Sequence, residues 1–241
     1  SGFLKSYVIE TSSAVKATNI PELFSNLGWQ MNPIQKGDIY DIHDQDGRLG
    51  FVEPISSRYA MLHSFRETKK IDASISKIVQ ATSRLDSLWL SGEYFLVLWN
   101  TIILPQMPER FVTMKFEHLA QFEEGENQIV DDTYDEDLWG VAEDYAERRA
   151  STSSINERAR KVGDFLPALQ QSHSAFKAIK MLRLPANERG GYDFWSNGKV
   201  TYRAPSFREG REQIMSVTDL YAKVTEAIEE KMWMRLERTK I

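Results

Sequence analysis

Residues 192–203 read Tyr-Asp-Phe-Trp-Ser-Asn-Gly-Lys-Val-Thr-Tyr-Arg. Two short runs rich in aromatic and β-branched residues flank Ser196-Asn197-Gly198. An Asn-Gly pair tolerates the positive φ angles that a tight hairpin turn demands. The stretch therefore predicts a β-hairpin, with 192–195 against 199–203. Gly190-Gly191 makes the turn before it, Pro205 closes it, and Ser206 stands where a helix cap belongs. Beyond Ser206, the apolar residues Ile214, Val217, Tyr221, Val224 and Ile228 recur at spacings of 3, 4, 3 and 4, and Met232 adds another turn. This paints one narrow apolar stripe on a helix of about 30 residues, on the order of 45 Å long. A helix of that length packs along a domain or reaches towards a partner.

Working outward, Phe176 to Leu184 predicts a strand and Ile155 to Leu169 a helix, with Pro167 near its end. Ser151 to Ser154 reads as polar punctuation. Leu138, Val141 and Tyr145 have helical spacing, and Glu123 to Asp137 reads as a loop or boundary because like charge is dense and apolar residues are few. The first half mixes both element types. Tyr7 to Glu10 predicts a strand. Asn19 caps a helix over 21–27 that Gly28 ends. Residues 38–52 predict a hairpin turning at Asp44 to Gly47, and 58–65 a further strand. Helices are expected from Asp72, with Ile71, Ile75, Ile78 and Val79 on one face, and over 93–101, ended by Pro105 and Pro108. Arg110 to Phe116 alternates as a strand should. The fold class is α+β: a small N-terminal α/β lobe over 1–118, an acidic linker and helix over 119–150, and over 151–241 a helix, strand and hairpin ending in the long C-terminal helix.

The chain has 241 residues, 41% apolar and 27% charged, with twelve Phe, nine Tyr and six Trp, enough for a substantial core. It has no Cys, which excludes disulfides, thiolate metal sites and Cys nucleophiles and fits a reducing compartment. No apolar run approaches the roughly 18–20 residues that span a bilayer, and the first residues lack a signal-peptide pattern. A soluble, cytoplasmic protein is the expectation.

A search for chemistry finds little. The four histidines, His43, His63, His118 and His173, show no paired metal-ligand spacing. Phosphate-binding, dinucleotide and nucleophile-elbow signatures are missing. Gly190-Gly191 sits between two strands, where a turn is the natural reading. Met114-Lys115-Phe116-Glu117 holds nuclease residue types in the wrong order. Asp131, Asp132, Asp135, Glu136 and Asp137 lack the spacing of a calcium loop and read as a solvated or partner-facing segment. The expectation is a protein with no catalytic residue, no metal site and no cofactor. A metal-dependent hydrolase with dispersed ligands is the lesser alternative.

Charge is split by position. Residues 116–147 hold twelve acids and no Lys or Arg, whereas residues 148–211 hold thirteen Lys or Arg against five acids, in a chain of net charge -5. Positive charge gathered in one quarter of an acidic chain points to a polyanion. The candidate nucleic-acid contacts are Arg148, Arg149, Arg158, Arg160, Lys161, Lys177, Lys180, Arg183, Lys199, Arg203, Arg208 and Arg211, with Tyr192, Trp195 and Tyr202 as candidate stacking platforms. Arg208 and Arg211 open the long helix, where cations are mildly unfavourable unless an anion sits nearby. The competing readings are pairing of the basic segment with the chain's own acids or with a partner protein, and no role.

The order of elements, with Ser83-Arg84-Leu85-Asp86-Ser87-Leu88-Trp89-Leu90 in the first half and Gly198-Lys199-Val200-Thr201-Tyr202-Arg203 in the second, resembles the N-L1-L2 part of prokaryotic Argonautes. In short Argonaute systems that part is a separate, APAZ-like chain. The resemblance implies a non-catalytic subunit of a heterodimer with a short (MID-PIWI) Argonaute, helping to form the channel for guide and target nucleic acid in prokaryotic defence. The alternative is a protein–protein adaptor with no nucleic-acid role.

Overall fold

The computed structural model describes residues 3–11, 20–26, 28–34, 39–119, 150–172 and 174–238. The expectations for 120–149, including the helix around Val141 and the contacts assigned to Arg148 and Arg149, lie outside these residues, as does the Asn19 cap. The fold is α+β, and the chain divides into two compact units, 1–89 with 184–241, and 90–183.

The first unit is built on a sheet in the order β2-β3-β4-β5-β1-β11-β10. Its strands are β1 (Lys5–Thr11), β2 (Gln30–Pro33), β3 (Tyr40–Asp44), β4 (Gly47–Pro54), β5 (Tyr59–Ser64), β10 (Gly191–Trp195) and β11 (Lys199–Tyr202), with a short β6 (Leu85–Ser87) also on β1. All the pairings are antiparallel. The Asn-Gly hairpin forms as the sequence predicts, with Gly198 at φ 73°. A Cβ there would also come 2.7 Å from the Leu88 carbonyl oxygen, so only glycine fits.

The period of two along β1 divides the core. Tyr7 and Ile9 face helices α1 (Ile20–Asn26) and α2 (Thr68–Ala81), which bury Ile20, Leu23, Phe24, Ile71, Ile75 and Ile78 against the sheet. Helix α2 begins at Thr68, one turn earlier than its spacing from Asp72 indicates. Ser6, Val8 and Glu10 face the other side. Across that side lies the last helix, α5 (Phe207–Arg238), whose 32 residues match the length read from its stripe.

In the second unit β7 (Phe111–Leu119) lies between β8 (Ala150–Arg158) and β9 (Ile179–Pro185). Helix α3 (Gly92–Leu98) is capped by Ser91, whose hydroxyl accepts from the Tyr94 N–H. Helix α4 (Ala159–Ser172) buries Ala159, Val162 and Leu166. Four expectations are corrected here. Ser151 to Ser154 is strand, and residues 155–158 continue it instead of starting a helix. All nine positions of β8 pair with β7, from Phe111↔Arg158 to Leu119↔Ala150, so ladder pairing overrides local propensity. Pro105 does not end its helix: a π-helical stretch, Trp99–Ile103, precedes a last turn, Leu104–Gln106. Pro167 lies inside α4. Lys177 sits on a 3₁₀ turn, Ser174–Lys177, before β9 begins.

Candidate functional site

Helix α5 changes character along its length. At its start the Ser206 hydroxyl accepts the Glu209 N–H at 3.1 Å, a cap on the first turn. Gly210 lets the backbone approach the sheet, since a Cβ there would lie 2.4 Å from the Tyr202 ring and 2.5 Å from the Tyr192 ring. Phe207 stacks on Tyr202 and meets the His63 ring edge-on. Ile214, Val217 and Thr218 are buried. This proximal half carries the apolar stripe into the core, as the spacing predicts.

The distal half does not. Tyr221 packs edge-on against Tyr59, with ring centroids 6.3 Å apart. Two turns further along, Arg58 clasps Glu229 through two parallel hydrogen bonds, Nη1 to Oε2 at 2.9 Å and Nη2 to Oε1 at 2.6 Å. The same guanidinium lies 2.6 Å from Glu10 on β1. Bidentate Arg–carboxylate geometry fixes orientation as well as distance. Successive helical residues are about 100° apart, so the turn that faces the sheet at Glu229 must display Ile228 roughly a quarter-turn away. Val224, Ile228 and Met232 are accordingly 43%, 53% and 59% exposed. The stripe is one line in sequence, half core and half surface.

Beneath the proximal half lies a polar network. Ser6 Oγ is 2.6 Å from His63 Nδ1, and His63 Nε2 is 3.1 Å from Glu53 Oε1. The Ser6 hydroxyl also donates to the Tyr202 oxygen at 3.2 Å, and Arg211 Nε donates to both Glu53 oxygens at 2.8 and 3.1 Å. Burial works against the Glu53 carboxylate, but the hydrogen bonds from His63 and Arg211 outweigh it and hold its pKa below the ordinary value. Burial pushes the Tyr202 phenol up to about 12. A serine, a histidine and a carboxylate in this order have the geometry of a nucleophile and its base. Ser6 is wholly buried and His63 nearly so, under Phe207, Tyr202 and Arg211, so no substrate reaches the hydroxyl in this conformation. As it stands, the network seats α5 on the sheet.

A second buried cluster lies on the opposite face. Lys199 Nζ donates to Asp72 Oδ2 at 2.7 Å, the Tyr7 hydroxyl donates to Asp72 Oδ1 at 2.5 Å, and Lys5 Nζ donates to the Arg66 carbonyl at 2.6 Å. Burial lowers the Lys5 pKa, aided by the nearby Lys199 charge.

The basic residues expected to contact nucleic acid are spread over both units, and most hold acids of the chain itself. In the first unit, Lys199 pairs with Asp72, and Arg203 pairs with Asp193 and lies 4.1 Å over the exposed Phe3 ring. Both belong to the sheet face that carries α2. Arg211 pairs with Glu53 on the opposite face, and Arg208 with Glu212 along α5. In the second unit, Arg158 and Arg160 share Glu109, Lys161 pairs with Glu157, and Lys180 with Glu117. Lys177 is exposed and Arg183 half-buried. Among the described candidates, only Arg158, Arg160 and Lys161 are thus drawn together, around Glu109 and Glu157. The stacking platforms are corrected outright. Tyr192 and Tyr202 are buried beneath α5, and Trp195 is half-buried against Lys199. Among the described residues, the exposed large aromatics of the first unit are instead Phe3, Phe65, Trp89 and Phe207.

Among the described residues no group of three or more His, Asp or Glu is placed to hold a metal ion, and no helix is long and apolar enough to cross a membrane. A cleft of about 450 Å³ between the β3–β4 turn and α2 is lined by Trp29, Asp44, Asp46 and Lys77. Its Asp44 carboxylate is already held by Arg66. A family model described as MJECL33-like protein matches residues 1–241, the whole chain. No curated protein matches it.

Proposed function

The chain belongs to the MJECL33-like protein family, and we propose that it acts there as a non-catalytic subunit that docks a partner protein through the distal half of α5. The observation that carries this reading is the clasped helix. Arg58 fixes the rotation of α5 at Glu229, and with it the outward display of Val224, Ile228 and Met232. An apolar line that a long helix holds out to solvent has the form of a helix-docking surface. The pairing of most candidate cations with the chain's own acids supports protein docking over a dedicated polyanion groove. The partner we propose is the one implied by the resemblance of residues 83–90 and 198–203, a short Argonaute with MID and PIWI domains only.

A second reading, contact with the guide or target strand in that complex, rests on the exposed cations. The Arg208 side chain is 90% exposed and the Arg160 side chain 62%. Surface ion pairs of this kind contribute only about 0–1 kcal/mol and exchange readily for phosphate.

Co-expression with a short Argonaute tests the first reading. Wild-type chain should co-purify, and Ile228→Glu should not, while both melt at the same temperature. Co-purification of the variant at wild-type yield would sink it. The second reading requires guide binding by the complex to weaken steeply with salt, and to fall when Arg160 and Arg208 are changed to Glu.

A further inference from the structure

We infer that the occupant of the distal α5 face is a short amphipathic helix of the partner, with its apolar side on Val224, Ile228 and Met232 and an acidic residue beside Lys231. This rests on the docking reading above and gives its partner a chemistry.

Length is the first argument. Among the described side chains, the exposed stripe from Val224 to Met232 covers about 12 Å along the helix, a span that two turns of a partner helix match. The patch has an aromatic edge as well. The Tyr221 hydroxyl meets the Trp89 backbone N–H, so Trp89, 61% exposed, stands beside the turn where the exposed stripe begins. Trp at the rim of an apolar line is the residue type that most often anchors a partner.

Charge is the second argument. At about 100° per residue, exposed Lys231 lies roughly 60° round the helix from Ile228, on the solvent side of the stripe. Exposed Glu226 and Glu230 fall about 160° away, on the opposite side of the helix. Glu229, on the sheet side, is neutralised by Arg58. The charge that borders the stripe is therefore positive. Between Val224 and Lys231, the exposed Ala227 leaves room for a side chain of the partner to lie close.

Two synthetic helical peptides test this, identical in their leucine face and flanked in one by Glu and in the other by Lys. Fluorescence anisotropy with the purified chain should show the Glu-flanked peptide binding about tenfold more tightly. Lys231→Glu should abolish or reverse that preference. Ile228→Glu and Trp89→Ala should each weaken the Glu-flanked peptide by about tenfold or more without changing the melting temperature. Equal affinity for both peptides, or no binding of either, overturns the inference. If co-purification with the partner nevertheless depends on Ile228, the docking reading stands and only the helix chemistry fails. A dimer of the chain alone that Ile228→Glu splits would show a second copy to be the occupant and also overturn it.

Discussion

Replacing Arg58 with Met keeps the length of the side chain and removes the clasp. Two carboxylates then lose their partner. Glu10 matters more, because its side chain is only 13% exposed whereas that of Glu229 is 45% exposed. Breaking a buried ion pair from one side costs about 3–5 kcal/mol, and half-exposed Glu229 adds little. Water also reaches Arg58, so a loss of about 2 kcal/mol is expected. With a urea slope of about 2 kcal/mol/M, the unfolding midpoint should fall by about 1 M.

The loss should depend on pH in a defined direction. Burial raises the Glu10 pKa above 4.5 even with Arg58 present, and removing Arg58 raises it further. A buried acid with a raised folded-state pKa destabilises the fold once it ionises, so this part of the deficit fades as pH falls and Glu10 takes up a proton. Arg58 holds Glu229 below 4.5, and the stability that gives is present above 4.5 and lost as pH falls through the folded value. Both contributions make the deficit of the variant largest near neutral pH and smaller at pH 4. Hydrogen exchange should also quicken in residues 221–232 more than in 210–218. An unchanged midpoint, or faster exchange spread evenly over α5, would refute the clasp.

Gly210→Ala should destabilise by about 2 kcal/mol in urea melts despite the roughly 1 kcal/mol that Ala gains in a helix, because its Cβ would strike the buried Tyr192 and Tyr202 rings. Gly198→Ala should cost a similar amount, through a positive φ and a close carbonyl, and Gly47→Ala, with open space around its Cβ position, should cost less. Glu53→Gln should lower stability by about 1–2 kcal/mol at pH 7. Since the folded pKa of Glu53 is depressed, that difference should shrink as pH falls below 4.5.

Local patterns carried much of the fold. The Asn-Gly hairpin, the 40–54 hairpin and the extent of α5 are set by turn chemistry and by periodicities of 2 and 3.6, and these survive in one dimension. The pairing of β1 with β11 did not, because Tyr7 and Lys199 are joined by a ladder that no nearby residue announces. The same holds for β8, whose Ser and Thr residues read as punctuation until nine partners on β7 are supplied. At the candidate site the stripe was legible, but its division was not. Val217 and Val224 are the same residue on the same line, yet one is buried and the other exposed. Arg58, which clasps the distal half at Glu229, lies 171 residues away, and nothing in either neighbourhood marks the pair. Charge counting likewise located the basic segment and left pairing with the chain's own acids as a competing reading, but could not name Asp72, Glu53, Glu109 and Asp193 as the partners.

Hydrogen exchange on the chain alone and in complex with its co-purified partner tests the docking claim most directly. The account predicts protection gained in residues 221–232 and around Trp89, with 207–218 unchanged because that half of α5 already lies on the sheet. Protection that appears elsewhere and leaves 221–232 as open as in the free chain would contradict it.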